Sequence, residues 1–187
     1  MAKGSRTPHG EDPADSEAAV RSALGSEHSA APRTPLASWE RFAREAPKIA
    51  AAGERLLVGS DGVAIGFLAS GGASAPHLSP VCPVFCDGDV FVIAPAHTPK
   101  ARDLREHGGY VLHAFLGASD EEFQIAGRAA EVSGEAERAR VHSAVRFASF
   151  GRADPIFRLG VARALWVFWE RAGRPDTRAV RKRWRAS

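Results

Sequence analysis

Cysteine, methionine, tyrosine and lysine are scarce in this 187-residue chain, with two, one, one and four copies. Cys82 and Cys86 are too few for a disulfide framework or a metal site, and read as two small buried thiols that share a face of one strand. Seven histidines stand singly without ligand spacing, so His77, His97 and His113 read as ordinary strand or loop residues. No run approaches the roughly 20 apolar residues that cross a bilayer. The first thirty residues have no apolar signal core, because Pro8, Asp12, Pro13, Asp15 and Glu17 interrupt them. His-Glu-x-x-His, Gly-x-x-x-x-Gly-Lys-Ser/Thr and Gly-x-Ser-x-Gly are all missing. These absences leave a cytoplasmic protein without a membrane span and without a self-sufficient acid–base or nucleophilic centre.

The hydrophobic and charged fractions, 44% and 25%, are ordinary for a globular chain and exclude a wholly disordered or fibrous one. Net charge is +3, but its distribution is uneven. The last seventeen residues hold seven Arg/Lys against Asp176 alone, or +6, so residues 1–170 carry −3. A terminal basic run is expected to be solvated, and nucleic-acid binding is not the expected role.

Residues 1–37 have no aromatic side chain and are rich in Ala, Ser, Gly and Pro. They cannot bury enough apolar surface to offset ordering entropy, so they are read as a disordered tail with a transient helix over Ser16–Leu24. Residues 38–187 form the expected folded domain. Ser38 is an N-cap, and Trp39, Phe42, Ala43, Ala46 and Ile49 follow at helical spacing, with Pro47 kinking that helix or starting a second. Strand-like runs follow at Arg55–Val58, Val63–Ala69, Val81–Phe85, Val90–Ala94, Tyr110–Leu116 and Phe123–Val132, separated by turn residues. Asp87-Gly88 is the strongest hairpin signal. Helices are expected at Pro99–Glu106 and between Ser133 and Ala148, the latter with an inner stripe of Val141, Ala144, Val145 and Ala148, and a last strand at Leu165–Glu170. This tight spacing predicts an antiparallel sheet or barrel rather than a doubly wound sheet.

One segment has chemical character. A strand, Phe91–Ala94, runs through Pro95-Ala96-His97-Thr98-Pro99-Lys100 into a short helix. Exposed amides, a hydroxyl and an ammonium there suit an anion such as phosphate.

The order of the whole block then resembles the flavin-binding split-barrel family that includes pyridoxamine 5′-phosphate oxidase. The matching pieces are Gly66-Phe67-Leu68-Ala69-Ser70, Pro76-His77-Leu78-Ser79-Pro80-Val81-Cys82-Pro83-Val84, Val90–Ala94, Thr98-x-Lys100 with Leu104, and Glu121-Glu122-Phe123-Gln124-Ile125-Ala126-Gly127-Arg128-Ala129. The resemblance implies a six-stranded, mainly antiparallel split β-barrel with peripheral helices. It implies that FMN, a 5-deazaflavin coenzyme or haem is bound. Thr98 and Lys100 would hold the flavin phosphate, Leu78, Ser79, Pro80, Val81 and Cys82 would run along the ring system, and Ala94 and Pro95 would lead into the phosphate loop.

Glu122 stands where the family has a glutamine, and Trp184 with Arg183 loosely matches a C-terminal Trp and Arg. The family's basic residues at the two ends of the second strand are replaced by His77 or Leu78 and by Pro83, so oxidation of pyridoxamine phosphate itself is not expected. The implied activity is hydride transfer on a small molecule, with the cofactor carrying the chemistry. A non-catalytic cofactor- or haem-binding barrel, with His77 or His97 on the iron, is the alternative. A third reading is a degenerate barrel acting as an interaction module through its Arg-rich end.

A homodimer is expected too. Phe85, Phe91, Phe115, Phe123, Trp166 and Trp169 lie on short strands. Runs such as Val90–Ala94 and Leu165–Trp169 are apolar at consecutive positions, so both faces need cover. The cofactor would sit at the subunit interface, with Glu122 and Trp184 reaching it from the partner.

Overall fold

The computed structural model describes residues 35–71, 75–147 and 150–187. Most of the segment read as a disordered tail, including Ser16–Leu24, lies outside the described residues, as does Ala148. The folded unit reaches back to Ala37, which is buried and exchanges two 2.9 Å backbone hydrogen bonds with Val161.

Helix α1 (Trp39–Glu45) starts where Ser38 Oγ accepts the Arg41 N–H at 3.1 Å, and it buries Trp39 and Phe42. Pro47 does not kink this helix. It opens a second, α2 (Pro47–Leu57), at a position where a missing N–H costs nothing. The apolar run Arg55–Val58, expected as a strand, is the last turn of α2, and only Val58 makes a β-bridge, to Ala64. A run this short has no period that separates helix from strand.

Among the described residues, eight strands form one sheet in which every pairing is antiparallel. They are β1 (Gly66–Ser70), β2 (His77–Val81), β3 (Val84–Cys86), β4 (Asp89–Ile93), β5 (Gly109–Ala114), β6 (Glu122–Glu131), β7 (Ile156–Glu170) and β8 (Arg178–Arg185). Their order is β2-β1-β5-β6-β7-β4-β3. The far edge of β7 is shared, with its first residues on β4 and its last eight on β8. The sheet curls into an antiparallel half-barrel, with α3 (Pro99–Glu106) and α4 (Glu135–Ala144) joining α1 and α2 around it.

Two features raise the strand count from the expected six, and a third lengthens a strand. Pro83, which has no N–H for a ladder, breaks the run Val81–Phe85, so Cys82 and Cys86 do not share one strand; both are half-buried free thiols. The last apolar run extends back to Ile156, and the basic C-terminus is a paired strand rather than a solvated tail. Charged side chains along an exposed edge prevent further pairing, so an Arg-rich sequence suits β8.

Asp87 and Gly88, at φ 50° and 76°, turn β3 into β4 with Cys86 facing Asp89, the two-residue hairpin that Asp-Gly favours. Between Ala126 and Gly127 the β6–β7 register shifts at a bulge. A Cβ on Gly127 would land on the Gly160 carbonyl oxygen, so only glycine lets the strands approach there.

The core has two parts. Trp39, Phe42, Leu68, Val90, Val92, Leu104, Leu112, Phe123, Ile125 and Leu159 fill the barrel. Val84, Phe91, Ile93, Val132 and Ile156 pack with Val141 of α4. Both faces of β4 are therefore covered from within this chain, contrary to the expectation that a second subunit covers them. Phe115 and Trp169 remain exposed at 46% and 41%.

Candidate functional site

Strand β2 is an edge strand: among the described residues it pairs only with β1, Ser70 facing His77 and Gly66 facing Val81, so one row of its backbone N–H and C=O groups has no strand partner there. Alternation along β2 leaves Leu78 (68% exposed) and Pro80 outward, while Val81 is buried and Ser79 half-buried. Cys82, just after the strand, is half-buried, and burial pushes its thiol upward. Helix α3 packs against β1 and β2, so the loop that leads into it and the edge strand belong to one corner of the sheet.

That loop leaves β4 through Ala94, which is fully buried and donates its N–H to the Pro155 carbonyl at 3.0 Å. Thr98 caps α3, where Pro99 occupies the first turn. Its Oγ1 accepts the Ala101 N–H at 3.4 Å and donates to the Pro95 carbonyl at 2.7 Å. The Thr98 hydroxyl proton is thus already engaged, and the part it can offer an anion is the loop shape it fixes. Lys100 is half-buried and has no ion-pair partner among the described residues, so its ammonium is free for a ligand.

One turn further along α3 is a side-chain cluster that reading the sequence missed. Asp103 is 6% exposed, and its Oδ2 accepts the Ser70 hydroxyl at 3.1 Å and lies 2.7 Å from His77 Nδ1. Burial alone would raise this carboxyl. The hydrogen bonds from His77 and Ser70, with the charges of His77 and Arg102, outweigh it and hold the group below its ordinary value. The signal was an Asp beside Ala101 and Leu104, the buried residues of a short helix. His97, by contrast, is exposed in the loop.

Glu122 and Trp184 do not join this corner within one chain. Glu122 opens β6 opposite Val167, whereas Arg105 of α3 binds Glu131 at the other end of β6, about 30 Å away at strand rise. Trp184 on β8 lies 5.0 Å from the Phe42 ring and donates Nε1–H to Glu45 at 3.1 Å. It also lines a cavity of about 240 Å³ with Arg163, Arg183 and Arg185. The neighbouring Glu121 carries the carboxylate that takes Arg55 (2.5 Å) and the Trp166 indole (2.7 Å). Among the described residues no three or more His, Cys, Asp or Glu side chains gather as a metal site, and no helix is long and apolar enough to cross a membrane.

No protein-family model matches the sequence, and comparison with curated proteins finds no match. Solved structures do match in fold. A NimC/NimA family protein from Clostridium acetobutylicum superposes with TM-score 0.53 at 11% identity, over 76% of this chain and 96% of that one. General stress protein 26 from Bacillus anthracis gives 0.50 at 10% identity, over 71% and 97%. A haem-binding protein from Mycobacterium smegmatis gives 0.48 at 19% identity, over 70% of this chain and only 57% of that one. Pyridoxamine 5′-phosphate oxidase-like proteins are also among the matching structures. The curled antiparallel half-barrel of this chain thus has the fold of the NimC/NimA family protein and of general stress protein 26, and it is consistent with the split barrel that the sequence resemblance implies.

Proposed function

We propose that this chain is a flavin- or 5-deazaflavin-dependent oxidoreductase, with FMN the favoured cofactor, acting as a cytoplasmic homodimer on a small molecule. The observation that carries the reading is the corner where the free edge of β2 meets the start of α3. An unpaired strand edge offers peptide N–H and C=O groups to the polar rim of a flat ring system, and the outward Leu78 and Pro80 offer it apolar contact. Thr98 caps α3 and Lys100 stands in its first turn, one turn before the Asp103 that contacts His77 of β2, and these two would hold a phosphate. These residues fit the group.

A bound flavin or deazaflavin would supply the hydride chemistry, which agrees with the absence of a catalytic motif. The chain's own part is to bind the phosphate, orient the ring on β2 and exclude water. Glu122 and Trp184 are not among the residues that meet at this corner, and the resemblance has them reach the site from a second copy, which is the reading behind the dimer. A haem-handling barrel is the second reading. It draws on His77, whose Nδ1 is held by a carboxylate in the manner of metal-ligating histidines.

Titrating the purified protein with FMN, a 5-deazaflavin and haem, followed by absorption, tests the reading. Lys100→Ala should weaken flavin binding by about 1.5–3 kcal/mol, the worth of one charge-assisted contact. Light scattering should give twice the chain mass. Unchanged flavin affinity in Lys100→Ala, or full-affinity binding by a monomer, would remove the corresponding part of the proposal. A Soret band with haem that His77→Ala abolishes would favour the second reading.

A further inference from the structure

The pairing of β7 with β8 sets Arg163 directly opposite Arg185, and Leu165 opposite Arg183. Side chains alternate along a strand, so these four share one face of the sheet, while the Trp184 ring, which packs on Phe42, lies on the other. Directly opposed residues hold their Cβ atoms about 5 Å apart, and like charges so placed repel. The strand on the other side of β7 gives no relief. There Ala126 of β6 faces Arg163, and Gln124 faces Leu165.

These side chains wall the cavity of about 240 Å³ that Trp184 also lines, and no carboxylate belongs to its lining. Among the described residues seven other arginines form ion pairs with carboxylates, but Arg163, Arg183 and Arg185 form none. Carboxylates of adjoining elements are committed elsewhere: Glu170 to Arg178, Glu121 to Arg55 and the Trp166 indole, and Glu45 to Arg41 and the Trp184 indole. Glu122 faces Val167 and stands outside the cavity. Three positive charges therefore meet at one concave site, a local conflict that the chain's own acids leave in place.

We propose that this cavity binds a small oxyanion carrying two or more negative charges, gripped between Arg163 and Arg185 with Arg183 as the third donor. Guanidinium forks match the oxygens of phosphate and carboxylate groups alike, and three of them exceed the charge that a singly charged ion would neutralise. The Gln124 amide adds a neutral donor, and Val111, Ala126 and Leu165 add apolar wall. In the sheet order β7 lies four places from β2, and the cavity shares no residue with the corner of β2 and α3. Arg163 and Arg185, the pair that carries the inference, have no part in the flavin reading, so either can fail without the other.

The experiment follows thermal unfolding of the full chain as pyrophosphate or citrate is added, with sodium chloride holding ionic strength constant. The native chain should gain melting temperature saturably, as a ligand of the folded state requires. A rise with pyrophosphate assigns a phosphate-type ligand and a rise with citrate a polycarboxylate, and either upholds the inference. Arg163→Gln and Arg185→Gln should each weaken the apparent affinity about tenfold or more, the worth of one charge-assisted contact, while Lys100→Ala leaves it unchanged. Without added anion both glutamine variants should melt no lower than the native chain, because each removes a repulsion. The inference is overturned if neither anion raises the native chain, or if both glutamine variants keep the native affinity. It is overturned equally if the response disappears in Lys100→Ala, or if both glutamine variants melt lower without anion. Light scattering tests the remaining route. If the native chain is a dimer and the Arg163→Gln/Arg185→Gln double variant is a monomer, the guanidiniums face carboxylates of a second copy, and the inference falls.

Discussion

Replacing Asp103 by alanine removes the acceptor for two side chains at once. His77 is half exposed and can turn to water, so its loss is modest. The Ser70 hydroxyl is different: the residue is 3% exposed, and Asp103 is its hydrogen-bond partner. One neutral hydrogen bond is worth about 1 kcal/mol, and a buried unsatisfied hydroxyl costs a further 1–3 kcal/mol or so. With a solvent-screened contribution from His77, the sum comes to about 3 kcal/mol. For a folded unit of this size, about 2–4 °C of melting temperature accompanies each kcal/mol, so Asp103→Ala should melt about 6–12 °C lower. Ser70→Ala alone should cost only about 1 kcal/mol, because Asp103 keeps His77. Ser70→Ala combined with Asp103→Leu makes the pocket apolar on both sides and should recover to within about 1 kcal/mol of the native chain. Urea unfolding of the single and double variants measures these values. The reasoning fails if Asp103→Ala stays within about 0.5 kcal/mol, as an unremarkable surface change would. It also fails if the double variant is no better than Asp103→Ala.

Two further outcomes follow from other parts of the fold. Gly127→Ala places a methyl against the backbone of Gly160 at the β6–β7 bulge, where no flexible side chain can yield. It should cost about 1–3 kcal/mol or more by denaturant unfolding, and native-like stability would show that the bulge is adjustable. In acid, three carboxyls act together. Burial would raise Asp103 and Glu121, but His77 and Ser70, and Arg55 and Trp166, outweigh it; Glu131 is lowered chiefly by its hydrogen bond to Arg105. Depressed folded-state values mean that the unfolded chain takes up protons first as pH falls. The stability these groups confer is thus full above the ordinary carboxylate values of about 4 and is lost as pH drops below them. The urea midpoint should be level from neutrality to about pH 5 and then decline, and a decline beginning above pH 6 would point to other groups.

Much of the architecture was legible because local chemistry and the fold agree. Ser38 before an apolar stripe, Pro47 at a helix start, Asp87-Gly88 between strand runs and Pro99–Glu106 after a capping threonine each specify one local structure with little competition. The errors arose where pattern and environment part. Arg55–Val58 is apolar for only a few residues, too short to show a period. β7 was seen only from Leu165 because Arg158, Gly160, Ala162 and Arg163 interrupt its first half, where just Ile156, Phe157, Leu159 and Val161 are buried. β8 was hidden most completely: none of its eight residues is buried, five of them are Arg or Lys, and its identity depends on pairing with β7, a long-range fact that composition does not contain.

The site was legible in a different measure. The loop residues Thr98 and Lys100 could be chosen because hydroxyl and ammonium groups before a helix have an evident use, and the helix they open packs against β1 and β2. The sequence does not show that the Thr98 proton is spent on the Pro95 carbonyl, since that depends on the turn closing at 2.7 Å. Nor does it show the Ser70–Asp103–His77 cluster, whose members are 26 and 33 residues apart and meet only when β1, β2 and α3 assemble. An acid one place before Leu104 on a helix whose other buried positions are apolar is a local inconsistency of the kind that marks a functional or strained position. Asp103 shows how such a position becomes stable: two donors from two strands satisfy its carboxylate, and the same bonds that keep it buried turn one nitrogen of His77 toward the open corner. The requirement that a buried charge be paired thus accounts for both the stability of the cluster and the direction in which the remaining ring nitrogen of His77 points.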